Sequence, residues 1–578
     1  MFPLRDDGAY ARWVAAFDTL SDADRAAIAE TSARLPRRPL FSLIIPPGWL
    51  ADAAAPLLAS LARQIYPRWE VWAERGFPLA APPWMEDRIF RYDSAPGGVA
   101  GGLDAALARL DGDFVVAVPD GVVLADQALF ELAVAALENP EAELLYSDED
   151  RIDASGRRFA PRFKTGWDPE LVLARDSIGA LAAYRTDALK RAGGFPRDAG
   201  PAAPADMALY ALALRTVSAG DAARVSHVPA VLCHRAVEPA WNPEAARDLA
   251  RAHLARTGTP QARVSPAPLV PQWSRIERPL PSPQPLVSVI VPTRDGAGLL
   301  KACAEGLLAW TDYDNIELLI VDNGSEEPAT FALFETLLAD PRVRILPQPG
   351  PFNFSALNNR AAEQARGEVL LLLNNDTEVI EPGWLAEMVS HALRPEVGAV
   401  GAKLIYANGR IQHAGVVLGR GTEITHQLRL AERTDPGPDG ELALTRTVAA
   451  VTGACLAVRR SVFVEAGGLD EVNLAVGFND IDLCLRIAAL GYRNVWTPFA
   501  CLFHLESVSR GHDEAPEKRE RMMRELNWMT ATWGPALAHD RHHNTNLTLG
   551  WNESGLAAPP RRAPPWRRPL GPAAVAGL

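Results

Sequence analysis

The sequence predicts an α/β protein made of two mostly parallel sheets in tandem, and three observations lead there. Two apolar strand-like runs closed by proline, Phe41-Ser42-Leu43-Ile44-Ile45-Pro46 and Val287-Ser288-Val289-Ile290-Val291-Pro292, each open a region of more than 200 residues. Further matches follow in the same order in both regions: Gly112 to Asp120 answers Gly367 to Asp376 with one residue of slippage, Gly179 to Arg185 answers Gly453 to Arg459, and Ala192-Gly193-Gly194-Phe195 answers Ala466-Gly467-Gly468-Leu469. Repeats of this length mean domain duplication and not a solenoid. In the second region a strand over 286–291, a helix over 299–310 and a strand over 316–321 alternate through short loops, the pattern of a parallel sheet.

Length and composition fit this reading. A chain of 578 residues exceeds one core, and 48% apolar residues at a net charge of −13 describe globular domains without general nucleic-acid character. Five separated cysteines with no CxxC pair argue against a zinc knuckle or a disulfide scaffold. No run of eighteen apolar residues and no basic segment leading into an apolar one is found, so the sequence points to a cytoplasmic protein whose membrane contact is peripheral.

Five segments follow in order. Residues 1–35 carry a helical period (Tyr10, Trp13, Val14, Phe17), 36–261 form the first copy, 262–285 read as a semi-rigid proline-rich linker, and 286–540 form the second copy. Residues 541–578 become rich in proline and arginine and read as a disordered tail. The cluster around Trp566 offers that tail either a solvated end or a contact with anionic lipid head groups at the inner membrane face.

Ligands of open α/β sheets bind beyond the carboxyl ends of the strands, which makes the residues just after each strand the ones that matter. After the first strand of the second copy stand Pro292-Thr293-Arg294-Asp295, and after the next Asp322-Asn323-Gly324-Ser325. Both can receive a base N–H and a ribose hydroxyl, and the second is equally a good turn sequence. The apolar strand 369–373 delivers Asn374, Asn375 and Asp376 to one point, a donor set for a hard cation that also holds phosphate oxygens. Gly477 to Arg486 begins a helix with an acidic first turn. Asp482 there serves the helix dipole, whereas Asp480 sits where a carboxylate can take a proton from an attacking hydroxyl. His504 follows the strand-like 500–503 and supplies the nitrogen that a cation site with one aspartate lacks.

Taken together, Val-Ile-Val-Pro-Thr at 289–293, Val-Asp-Asn-Gly-Ser at 321–325, Asn-Asn-Asp at 374–376, Thr-Gly-Ala-Cys-Leu at 452–456 and Gly-Phe-Asn-Asp-Ile-Asp-Leu-Cys at 477–484 resemble the family 2 glycosyltransferases of bacteria. These are inverting enzymes of the GT-A fold. The resemblance implies two GT-A-like domains, nucleoside contacts from Thr293, Asp295 and Asp322, Mg2+ or Mn2+ on Asp376 and His504, and Asp480 as catalytic base. Pro292, Asn323, Asn374 and Asn375 complete the implied donor site, and Asn353, Asn358 and Asn359 fall in the segment that runs beside the donor in such enzymes. Asn374 replaces the first carboxylate of the usual Asp-x-Asp, so one negative charge is missing. Asn-Asn-Asp also occurs in rhamnosyltransferase-like members, which points toward a deoxysugar donor.

The implied partners are a UDP- or dTDP-sugar and a glycan or lipid-linked acceptor, with no nucleic acid. The first copy resembles the leading domain of tandem enzymes through 144–150 and 163–169, with eroded donor positions (Pro46-Pro47-Gly48-Trp49, Trp72 to Gly76). There Asp120, Asp206 and His234 match Asp376, Asp480 and His504 in order. A degenerate scaffold, a second active site and a non-catalytic assembly protein are the alternatives. A nucleotidyltransferase would need a loop rich in glycine and basic residues after its first strand, and 292–300 has one arginine.

Overall fold

The computed structural model describes residues 7–49, 54–93, 95–217, 222–419, 424–505, 516–549 and 555–569. The chain divides into two compact units: Met1–Pro260 with Gln272–Ser274 and the residues from His543 on, and Gln261–Pro271 with Arg275–His542.

Both units are α/β, and their sheets follow one plan. In the second, strands run in the order Val343–Pro347, Ile316–Asp322, Val287–Thr293, Val369–Leu373, Cys455–Arg459, Val397–Ile405, Arg493–His504 and Thr377–Val379. The first four are mutually parallel and Cys455–Arg459 enters antiparallel. The first unit repeats this as Ile89–Tyr92, Trp69–Glu74, Phe41–Ile44, Phe114–Ala117, Ala182–Arg185, Leu144–Ile152, Val225–Arg235 and Val122–Leu124. The two α/β units expected from the sequence form with GT-A-like sheets, but the sheets are mixed and not mostly parallel: beyond the four parallel strands of each, most pairings are antiparallel.

One local device shows the duplication at atomic detail. Ser288 Oγ donates to Glu317 Oε1 at 2.5 Å and receives Gly367 N–H at 2.8 Å; in the first unit Ser42 Oγ donates to Glu70 Oε1 at 2.6 Å. A Cβ on Gly367 would stand 2.6 Å from the Ser288 nitrogen and one on Gly112 2.1 Å from Ser42 Oγ, so only glycine admits this approach in either copy.

The central strands are apolar on both faces because helices cover both. Val287, Val289, Ile290 and Val291 are fully buried, as are Leu370, Leu371 and Leu372; each such side chain contributes about 1.5–3 kcal/mol by leaving water. This rigid sheet fixes the strand ends that carry the site. The helix expected over 299–310 forms as Ala297–Glu305 followed by a π turn, Gly306–Trp310.

Two segments differ from expectation. The proline-rich 262–285 is not a bare linker: Arg263–Ala267 and Val270–Glu277 pair as a two-stranded sheet. With only two strands each has a free edge, and Pro266 and Pro271 are tolerated there. The Pro/Arg-rich segment is not a loose tail in its described part. Arg562 pairs with Glu131 at 2.6 Å, Arg567 with Asp24 at 2.6 Å and Arg568 with Glu138 at 2.7 Å, all within the first unit. Trp566 donates to Asp24 at 2.8 Å and lies against Phe130 with ring centroids 6.3 Å apart. The cations and the indole that the sequence offered to a lipid surface are thus engaged with protein. No helix among the described residues is long and apolar enough to cross a membrane.

Candidate active site

The strand ends of the second unit border two hollows. A cleft of about 950 Å³ is lined by Pro292, Thr293, Asp295, Phe352 and Asn375 among others. A cavity of about 420 Å³ is lined by Asn374, Tyr406, Gln412, His426, Arg429, Thr452, Gly453, Asp480 and His504. Asn374 faces one and Asn375 the other, so the end of strand Val369–Leu373 stands between them.

On the cleft side the sheet register places Thr293 beside Asp322. Asn375 Nδ2 donates to Thr293 Oγ1 at 2.9 Å, which joins two strand ends at the cleft wall. Asp295 has a left-handed backbone (φ 55°), and its Oδ1 accepts the Glu326 and Glu327 N–H groups at 2.8 Å each. Those two donors hold its carboxyl below the usual carboxylate range. Asp322 Oδ1 accepts from Ser325 N and Oγ at 2.9 and 2.6 Å, and Asn323 Nδ2 donates to Gln348 O at 2.9 Å. Asp322 and Asn323 line neither hollow; they shape the loops beside the cleft.

Asn353 is a helix cap. It precedes helix Phe354–Gln364, accepts Ala356 N–H at 2.9 Å and donates to Glu471 O at 2.9 Å. Asn358 is buried and donates to Phe354 O at 2.8 Å, and Asn359 bonds both backbone groups of Leu469. The donor-side roles implied for this segment give way to framework roles here, and Phe352, just before it, is the residue that reaches the cleft.

The corner between the hollows is built by pairing strand Thr377–Val379 with Arg493–His504, which sets Thr377 opposite His504 and brings Asp376 alongside. His504 Nδ1 is 2.6 Å from Gln412 Oε1, an acceptor, and so carries the proton. Its Nε2 faces Asn374 Nδ2 at 3.1 Å and Asp376 Oδ1 at 3.2 Å. The separation matches adjacent ligands on an ion with bonds of about 2.1 Å, and an oxygen–nitrogen pair oriented by a second hydrogen bond is an ordinary metal arrangement. Among the described residues no group of three or more His, Cys, Asp or Glu side chains could hold a metal, and Asp376 and His504 are a pair of donors only.

Asp480 opens helix Asn479–Ala489, entered through Phe478 in a left-handed conformation (φ 61°). Backbone strain of this kind concentrates at functional sites. Its Oδ2 accepts Gly453 N–H and its Oδ1 Ile481 N–H, both at 2.8 Å. Burial pushes its pKa up, against the pull of these two N–H groups and the Thr452 hydroxyl. Asp482, one turn face away, is fully buried and bound by Arg486 at 2.7 Å and Trp533 Nε1 at 2.8 Å, which makes it a framework carboxylate.

In the first unit the register pairs Val122 with Arg235 where the second pairs Thr377 with His504. Arg235 and not His234 therefore holds the position of His504. Its guanidinium pairs with Asp206 at 2.9 Å, the other Asp206 oxygen accepts Ala240 N–H at 2.9 Å, and His234 Nδ1 is 2.6 Å from Asp150. Gln412, Tyr406, His426, Arg429 and Phe352 of the second unit were not predicted. They sit in two- and three-residue strands and in loops without hydrophobic period, outside the recognised motifs that supplied Asn374, Thr452, Gly453 and Asp480 to the cavity.

Comparison with known proteins bears on the family of the second unit. Residues 288–467 match the glycosyl transferase family 2 profile. The second unit carries a family 2 glycosyltransferase domain. The chain is 38% identical to the O-antigen biosynthesis protein RfbC of Myxococcus xanthus, over 95% of this chain and 43% of that protein. It is 36% identical to the uncharacterized protein y4gI of Sinorhizobium fredii, over 92% and 60%. An N-acetylglucosaminyl-diphospho-decaprenol L-rhamnosyltransferase of Mycobacterium tuberculosis is 27% identical over 35% of this chain and 70% of that protein, a stretch comparable in length to the family 2 domain. The chain spans about half the length of these first two relatives.

Proposed function

We propose that the family 2 domain transfers a sugar, with inversion, from a UDP- or dTDP-sugar to a hydroxyl of a cell-surface polysaccharide or lipid-linked glycan. The observation that carries this reading is the meeting of Asn374, His504 and Asp480 on one cavity, with Asp376 at His504 and a nucleotide-sized cleft on the other side of the same strand end. Pro292, Thr293, Asp295 and Asn375 receive the nucleoside in the cleft. Asp376 and His504 would hold Mg2+ or Mn2+, which when bound neutralises charge on the departing diphosphate. The acceptor enters the cavity. Asp480, gripped by two backbone N–H groups, accepts the proton of the attacking hydroxyl, and its raised pKa strengthens it as a base. Attack from the side opposite the leaving group inverts the anomeric carbon. The rhamnosyltransferase relative favours a deoxysugar donor.

Calorimetry tests the cation corner. His504→Ala should raise the Mn2+ concentration needed for tight nucleotide binding about 10-fold or more, and an unchanged Mn2+ requirement would remove His504 from the ligand set.

We further read the first unit as a non-catalytic partner domain. Arg235 supplies a fixed cation where the second unit has His504, and it engages the carboxylate that answers the base. Asp206→Asn, which keeps an oxygen for Arg235, is expected to leave transfer rate and product linkages unchanged. Loss of one of two linkages in the product spectrum would instead make the protein bifunctional.

A further inference from the structure

Helix Pro516–Ala538 closes the second unit, and it buries Glu525, Leu526, Met529 and Leu537 at helical spacing. Three of these are apolar, and Glu525 is the exception. A buried carboxylate is costly unless its oxygens are hydrogen-bonded. Glu525 Oε1 accepts Val476 N–H at 2.9 Å and Oε2 accepts Gly477 N–H at 3.1 Å, with Arg521 Nε 3.7 Å from Oε2. Both oxygens are thus committed to one turn of the backbone, and Val476 and Gly477 line the cavity that holds Asp480. A Cβ on Gly477 would come within 3.0 Å of Oε2, so the carboxylate is seated closely against that turn.

The turn leads straight into the left-handed Phe478 and then Asp480. Phe478 caps helix Asn479–Ala489 with no side-chain hydrogen bond, and a side-chain-bearing residue keeps such a backbone only where its surroundings impose it. The imposing groups precede it in the chain: the two N–H groups given to Glu525, and Val476 O, which accepts Asn479 Nδ2 at 3.2 Å. About two turns further along the long helix, Trp533 Nε1 donates to Asp482 Oδ1 at 2.8 Å, while Arg486 holds Oδ2 at 2.7 Å. One helix therefore grips the chain just before Asp480 and again just after it. Two acceptor atoms fix both the place and the direction of a peptide pair, which a purely apolar contact would not do.

We propose that Glu525 is a positioning residue for sugar transfer, which fixes the turn 476–478 so that Asp480 meets the attacking hydroxyl, and that Trp533 is the second anchor, acting on the same helix start through Asp482. The proposal rests on the reading of Asp480 as the base.

The test compares the full chain with Glu525→Gln, which keeps the shape but leaves one acceptor oxygen for two N–H groups, and with Glu525→Ala. By hydrogen-exchange mass spectrometry, peptides covering 474–482 should exchange faster in both variants, while those covering strands 287–293 and 369–373 keep the wild-type rate. Unchanged exchange over 474–482 overturns the proposal. With Mn2+, UDP-glucose or dTDP-rhamnose as donor and an octyl glycoside as acceptor, kcat should fall about 10-fold in Glu525→Gln and about 100-fold in Glu525→Ala. The donor KM and the calorimetric affinity for UDP should stay near wild type, and Trp533→Phe, which keeps a ring without the N–H, should lower kcat by less. A parallel loss of binding and turnover would mark a general lesion and overturn the positioning role. Asp480→Asn removes the group through which Glu525 acts, so adding Glu525→Gln to it should cost nothing further, whereas an equal fall in both backgrounds would show that Glu525 acts independently of Asp480. Full turnover in Asp480→Asn alone would sink the base reading; wild-type turnover in Glu525→Gln beside an inactive Asp480→Asn would sink the positioning role alone.

Discussion

Asp480→Asn should lower sugar transfer about 10²–10⁴-fold, the range that a positioned general base contributes, while nucleotide-sugar binding persists. The substituted group lies in the cavity and not in the cleft proposed for the nucleoside, so binding and chemistry should separate. Stability should hardly move. Burial raises the pKa of this carboxyl in the folded state, so it favours folding most below the ordinary carboxylate range and loses that contribution as pH rises through the elevated value. At neutral pH the wild type therefore carries a buried charge that the amide removes. Against this, an amide has one oxygen for the Gly453 and Ile481 N–H groups that now share two, a loss of about 1 kcal/mol. The two effects oppose each other, and a melting temperature within about 4 °C of wild type is expected. The wild-type pH–rate profile should place its acidic limb above the range of an exposed aspartate, because the base works only when ionised. Normal turnover in this variant, or a collapse of its melting temperature, would remove Asp480 from the base role.

The parts of this site that were legible in the sequence are those where a strand dictates the position of the next residue. Five buried apolar residues from Val369 to Leu373 admit one geometry, and Asn374, Asn375 and Asp376 follow from it. The same logic placed Thr293 on the cleft and His504 on the cavity. It failed where a polar residue can satisfy either a ligand or a neighbouring backbone group, since the sequence does not say which partner is nearer. Asp322 closes on Ser325, Asn353 caps a helix and Asn323 holds the chain at Gln348, each within reach of the cleft but facing away from a ligand role. Repeat alignment placed His234 on His504, yet a single residue of slip in strand pairing puts Arg235 there, and one residue reverses which face a side chain takes. His413, His426 and Arg429 lie in short strands and left-handed turns with no periodic signature.

The arginine-rich segment was misread for a related reason: its partners lie more than 400 residues away, at Glu131 for Arg562 and Glu138 for Arg568. Cutting the chain after His542 should therefore destabilise the first unit. Asp148 is fully buried and receives Asn544 Nδ2 at 2.8 Å and Asn546 Nδ2 at 3.2 Å, and Glu131 is nearly as buried and answers Arg562. Leaving a buried charge without its partner costs about 3–5 kcal/mol, and water entering the vacated surface returns only part of it. Trp13, whose indole donates to Ala557 O at 2.8 Å, loses that bond and its cover from Leu547 and Leu556. Against a total stability of about 5–15 kcal/mol for a domain, the combined loss is large enough to leave the first unit partly unfolded at 37 °C. Limited proteolysis should cut the truncated protein within 7–260 while sparing the family 2 domain, and Arg562→Ala in the full chain should reproduce a fraction of the effect. A truncated protein with the proteolytic pattern and melting curve of the full chain would show that the segment adheres to the surface without supporting it.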